Sequence, residues 1–201
     1  MNLESGEIAQ WHRRLCPVTN WLVVSGDLSP QRSEALEQLT EWTELGISDV
    51  VDVREEWNDE KLVAQLAPSL RYHYLGTHDN GGPQDAEWFD AGYEAYLDVR
   101  ERNESVALIH CHMGVNRGPS MAFAWLLFAG WDPIDALDAI RAARPIAGII
   151  YADSAVSEVG RILNWERDLI DAQRQRVESW FDSNDINIAK VIRKIRESES
   201  F

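Results

Sequence analysis

Hydrophobic and polar positions alternate along the chain between strand-like and helix-like blocks. Residues 21–25 (WLVVS) form a short apolar run closed by Gly26 and Asp27, as a strand would be. Over 33–45 the apolar positions are Ala35, Leu36, Leu39, Trp42 and Leu45, which predicts an amphipathic helix stopped at Gly46. Residues 49–53 (DVVDV) predict a second, buried strand. A short helix is expected over 57–66 and an aromatic strand over 71–75 (RYHYL). The stretch 76–84 contains Gly81-Gly82-Pro83 and reads as a loop. A helix over 88–100 precedes 106–110 (VALIH), the plainest buried strand in the chain.

Pro119 then stands in the first turn of an apolar helix reaching Ala129, and Asp132-Pro133 starts another that runs to about Ala143. Over 154–180, Val156, Val159, Ile162, Leu163, Leu169, Ile170, Val177 and Trp180 keep a helical period. Near the end, Ile188, Val191, Ile192 and Ile195 mark a short amphipathic stretch before a polar tail. Strands alternating with helices predict an α/β domain whose central, mainly parallel sheet is flanked by helices. Ligands of such sheets bind at the carboxyl ends of the strands. Residues 110–117 lie at such an end.

Composition narrows the partners more than the fold. The chain has 201 residues, with 19 Lys plus Arg against 34 Asp plus Glu, a formal charge of −15. That balance makes nucleic acid and anionic membrane surfaces poor partners, yet leaves room for a locally positive pocket. Two cysteines, Cys16 and Cys111, are too few for a disulfide framework. No apolar run is long enough to span a bilayer, and the start, MNLESGEIAQWHRR, shows no signal-peptide pattern. The expected setting is cytoplasmic, with no membrane partner; the oligomeric state stays open.

The chemistry concentrates after 106–110. A glycine-bearing loop between a strand and a helix turns backbone N–H groups and a helix N-terminus toward one point, which suits a phosphate. Arg117 ends that loop, and a guanidinium can grip two phosphate oxygens at once. The same groups would stabilise a thiolate at Cys111 and make it a nucleophile.

His110-Cys111-His112-Met113-Gly114-Val115-Asn116-Arg117 matches the His-Cys-x-x-Gly-x-x-Arg signature, and the chain resembles the compact dual-specificity members of the cysteine-based protein phosphatases. The resemblance runs from WLVVSGDL through DVVDVR, the Asp79 loop and the signature to RAARP, and fades after about Asp168. It implies a protein tyrosine phosphatase-like catalytic domain over 1–168 and a helical C-terminal extension over 169–201, the latter read as a packing or self-association surface.

The resemblance further implies hydrolysis of phosphotyrosine or phosphoserine/threonine through a phosphocysteine. Cys111 would be the nucleophile, Arg117 the phosphate clamp and Asp79 the general acid, with Asp85 and Asp90 closer to the following helix. His112, Met113, Gly114, Val115, Asn116 and Arg117 would form the phosphate loop. His110 would hydrogen-bond loop backbone, and Gly114 would permit the tight curve. Gly118 departs from the pattern, which has Ser or Thr there to assist the thiolate as a leaving group. Ser120 is the nearest hydroxyl. This departure predicts slow breakdown of the phosphoenzyme.

Arg54 and Arg144 match family positions and read as structural salt-bridge formers. No cofactor is implied. No metal is expected either, since three adjacent residues at a strand end make poor tetrahedral geometry and the sequence holds no second cluster to complete it. Partners are expected to be a phosphorylated protein or a small phosphomonoester. Two alternatives follow from particular residues: an RNA 5′-triphosphatase, from the Gly-x-Asn-Arg stretch, and an idle phosphate-binding module, from Gly118.

Overall fold

A computed structural model describes residues 8–199; the start and end of the chain, 1–7 and 200–201, lie outside the described residues, and with them the ends of both expected domains. Strands β1 (Cys16–Pro17), β2 (Leu22–Ser25), β3 (Asp49–Arg54), β4 (Arg71–Thr77) and β5 (Ala107–His110) form one sheet in the order β1-β2-β5-β3-β4. Only β1 is antiparallel to its neighbour. The parallel register sets Ser25, His110 and Asp52 side by side at the carboxyl ends.

Beyond the N-terminal stretch, the helices among the described residues are α1 (Arg32–Glu44), α2 (Glu60–Leu66), α3 (Ala86–Arg100), α4 (Arg117–Phe128), α5 (Pro133–Ala143), α6 (Ala152–Ile162), α7 (Arg167–Ser183) and α8 (Ile188–Glu199). Alternate strand residues feed two cores, which is why the strands are apolar throughout. Val24, Val51 and Ile109 meet Phe89 of α3, Phe123 and Trp125 of α4, Leu137 of α5 and Val177 of α7. Val23, Val50 and Leu108 meet Ala35, Leu39 and Trp42 of α1 and Val63 of α2 on the other face. Every residue of α4 is buried, so the helix that follows the cysteine loop is the axis of the larger core.

Three elements differ from the periodicity. Helix α2 starts at Glu60, leaving Trp57 half exposed with its edge against the His112 ring, 5.3 Å between centroids. The helical period over 154–180 belongs to two helices, broken where Asn164 adopts φ 55°, a left-handed turn that asparagine tolerates. Helix α7 can then lie close on α6, because a Cβ at Gly160 would sit 2.6 Å from Ile170 Cγ1. Strand β1 is too short for any pattern to reveal; its pairing with Val23 and Val24 defines it. Among the described residues no helix is long and apolar enough to cross a membrane.

Candidate active site

Cys111 leaves the carboxyl end of β5, the middle strand, and is buried at 3% exposure. Residues 111–116 curve from there into α4, which begins at Arg117. The curve depends on Gly114, at φ 61°, where any Cβ would collide with the Arg144 guanidinium and the Ser25 carbonyl.

A loop that turns its N–H groups inward turns carbonyls outward into buried space, where they need donors. Arg144 supplies them. It donates from Nε to Gly114 O (2.6 Å) and from Nη2 to Met113 O (3.0 Å). It also reaches His12 O (3.0 Å), Arg14 O (3.1 Å) and the Cys16 sulfur (3.3 Å). The salt-bridge expectation for Arg144 is therefore corrected: its partners are carbonyls and a thiol. Arg54 does form buried ion pairs, with Asp52 and Asp59, both at 2.6 Å. Cys16 is a free, buried thiol, like Cys111.

Arg117 is buried, with two differently occupied edges. Nη1 and Nη2 donate to the two oxygens of Glu56, each at 2.8 Å, and Nη1 also reaches Thr77 O at 2.9 Å. Nε lies 3.4 Å from Asp79 Oδ2 and has no hydrogen-bond partner among the described residues, although buried. Burial pushes the Arg117 guanidinium down, and the Glu56 hydrogen bonds with the Cys111, Asp79 and Glu56 charges more than offset this, raising it. Burial likewise pushes Glu56 up, but Arg117 leaves it below the ordinary carboxylate value.

Asp79 sits in the loop after β4 and is tied to the cysteine loop from two sides. Asn116 Nδ2 and the Tyr151 hydroxyl both donate to its Oδ1, at 2.7 and 2.8 Å. Asn116 is itself fixed by the Ile150 amide (2.8 Å) and by the Ser120 hydroxyl (3.2 Å). Ser120 thus orients Asn116 and accepts from the Tyr151 amide (3.3 Å). At Gly118 a Cβ would sit 3.2 Å from the Cys111 amide nitrogen, so α4 starts pressed against the end of β5.

The expectation for His110 is corrected. Its ring is fully buried, packs 5.9 Å from the Trp42 ring and lies 4.0 Å from Asp52, and neither nitrogen has a hydrogen-bond partner among the described residues. Strand alternation sends Cys111 to the cleft and His110 beneath it, away from loop backbone. Burial holds its imidazole below the ordinary value.

His112 instead carries polar contacts. Its Nδ1 lies 2.7 Å from Asp27 Oδ2 and its Nε2 3.7 Å from Glu199, while His12 reaches Asp27 (3.3 Å), Glu199 (3.7 Å) and the His112 carbonyl (3.1 Å). The Asp27 hydrogen bond raises His112 against the effect of burial; burial raises Asp27, and the two imidazoles hold it well below the usual carboxylate range. The potential ligand atoms of His12, His112 and Glu199 lie within 4.8 Å of one another, a cluster of metal-ligating types that no sequence spacing foreshadows. Arg13, 3.2 Å from Asp27 and 3.8 Å from Glu199, supplies a cation to the cluster.

A cleft of about 420 Å³ has Cys111, Arg117, Asp79, Asn116, Glu56 and Tyr151's neighbour Ile150 in its wall. Asp85 and Asp90 lie outside it, at and within α3, and Trp88 is buried with its indole donating to Leu75 O at 2.9 Å. Glu56 and Tyr151 escaped the sequence reading. The paired acids after β3 were the available signal for Glu56; nothing local marks Tyr151.

The geometry can be set beside known structures. PTPMT1 superposes with a TM-score of 0.59 at 18% identity, over 75% of this chain and 97% of that one. Human DUSP28 gives 0.59 at 15% identity, over 74% and 95%. The fold is that of the dual-specificity phosphatases. The human tyrosine phosphatase-like serine/threonine/tyrosine-interacting protein shares it as well, at 0.59 and 16% identity, over 75% and 99%. PTPMT1 has also been solved in complex with PI(5)P, with a TM-score of 0.59 at 18% identity, over 77% and 97%. By sequence, the chain matches no family model and no curated protein. In this dual-specificity phosphatase fold the cysteine loop, the middle strand and the central helix are the mainly parallel α/β arrangement expected.

Proposed function

We infer that the protein hydrolyses phosphate monoesters through a phosphocysteine on Cys111. The observation that carries this reading is Arg117. Glu56 fills one edge of its guanidinium, while the buried Nε on the other edge has no hydrogen-bond partner among the described residues, lies 3.4 Å from Asp79 Oδ2, and sits in the wall of the cleft that Cys111 lines. A buried donor without a hydrogen bond suits an anionic ligand.

A phosphate dianion in the loop accepts from backbone N–H groups and from Nε and Nη2 of Arg117. Cys111 Sγ attacks phosphorus, the S–P bond forms as the ester P–O bond breaks, and Asp79 gives its proton to the departing oxygen. Water then attacks phosphorus and yields a proton to Asp79, while the P–S bond breaks and returns the thiolate. The anchoring of Asp79 by Asn116 and Tyr151 supports this reading over the RNA 5′-triphosphatase, whose group typically lacks the acid. Both a phosphoprotein and a small phosphomonoester fit the class, the latter in line with the PI(5)P complex of PTPMT1.

The test is release of phosphate from a chromogenic aryl phosphate. Cys111→Ser is expected to abolish release, and Asp79→Asn to depress it most for poor leaving groups. Wild-type protein that binds phosphate but releases none would establish the idle binding module instead.

A further inference from the structure

The C-terminal helix α8, which the sequence leaves as an appendage, forms a wall of the catalytic cleft. Ile188, Ile192 and Arg196, spaced four apart and therefore on one face, line it together with Cys111 and Arg117. The adjoining face is anchored: Val191 and Ile195 pack with Met113 and Val115 of the cysteine loop and with Ile146. Ile188 lies so close to Gly148 that a Cβ there would be 2.9 Å from its Cδ1. At the end of α8, Glu199 reaches His12 and His112, and before its start the Asn184 carbonyl accepts from Arg141 at 2.9 Å. Helix α8 also runs against the charge of the molecule, with Lys190, Arg193, Lys194 and Arg196 against Glu197 and Glu199 in a chain of net charge −15.

We propose that α8 is a substrate-reading wall in which Arg196 binds a second anionic group, carried on the leaving-group side of a small phosphomonoester. This deepens the phosphatase reading and rests on it. A cleft of about 420 Å³ closed on one side by Ile188 and Ile192 suits a small molecule. The net charge of −15 over the whole chain disfavours a polyanionic macromolecule. Arg117 holds the phosphate that is transferred, and Arg196, at the exposed end of the lining face, meets the second charge.

Alkanediol bisphosphates and alkyl monophosphates of equal chain length differ only in the second phosphate. Wild-type kcat/KM is expected to favour the bisphosphate by about tenfold or more at the best chain length, the scale of one charge-assisted hydrogen bond, against a statistical factor of about two for its two equivalent phosphates. Arg196→Ala and Arg196→Glu should collapse the preference toward that statistical value, whereas Arg193→Ala, outside the cleft lining, should keep it. A wild-type ratio near the statistical value, or a ratio unmoved by Arg196→Glu, overturns the proposal, as does stronger preference for an acidic phosphopeptide.

Calorimetric binding of the same pair to Cys111→Ser separates the two readings. Arg196-dependent preference in binding, without wild-type turnover, removes only the hydrolytic reading. Turnover without that preference removes only this proposal.

Discussion

Arg117 illustrates how a single residue can be prepared for a ligand before it arrives. Glu56 and Thr77 hold three of its N–H directions and leave Nε without a hydrogen bond among the described residues, 3.4 Å from Asp79 Oδ2. Glu56→Gln keeps the shape and removes the charge, so kcat/KM should fall about 10–100-fold in steady-state assays. Tyr151→Phe removes one donor from Asp79 and should lower kcat for alkyl phosphates more than for nitrophenyl phosphate, whose departure needs little protonation.

Gly118 carries the prediction made from its missing hydroxyl: a pre-steady-state burst in stopped flow, equal to the enzyme concentration. A Cβ 3.2 Å from the Cys111 nitrogen perturbs the loop by itself, so the useful comparison is Gly118→Ser against Gly118→Ala. The serine variant should turn over faster, and equal rates would refute the hydroxyl argument.

At the scale of elements, the cysteine loop is held from outside by Arg144 and from the side by Asp27, which grips its His112. Arg144→Met would strand several buried carbonyls at roughly 1–3 kcal/mol each, so thermal unfolding should shift down steeply although Arg144 itself lies outside the cleft wall. The Asp27–His112 pair gives a pH dependence. His112 is raised from 6.5, so its contribution is fully present below that value and is lost as pH rises through the raised value. Asp27 is lowered from 3.8, so its contribution is present above that value and fades as pH falls below it. Melting temperature plotted against pH should therefore decline on the alkaline side of 6.5 in the wild type and flatten there in His112→Asn.

For the whole molecule, the two helices beyond residue 166 share cores with the rest. Val177 and Trp180 belong to the main core, and Ile195, with no exposed surface, seals the cysteine loop. The expected result is one cooperative unfolding transition, coincident by fluorescence and circular dichroism. A C-terminal unit melting on its own would show two. Ile195→Ala should cost about 2–5 kcal/mol, as truncation of a buried aliphatic does, and should disturb catalysis as well because Met113 and Val115 lie beneath it.

The local code was sufficient for strands β2 to β5, for most helices and for the Cys111–Arg117 loop, since apolar period, glycine and a strand-to-helix junction are properties of adjacent residues. It also singled out Asp79, through resemblance, as the residue that Asn116 and Tyr151 are found to hold. Tertiary structure alone decided what faces that loop from afar: Glu56 on Arg117, Arg144 on the outward carbonyls, Tyr151 on Asp79 and α8 across the cleft. Arg144 alone reaches 132 positions back along the chain, to His12, and no periodicity of neighbours encodes which distant side chains a sheet order brings together. The same reason moved His110 from the loop to the core: its environment was set by Trp42 of α1 and by Asp52 on the neighbouring strand, beyond the reach of its own motif.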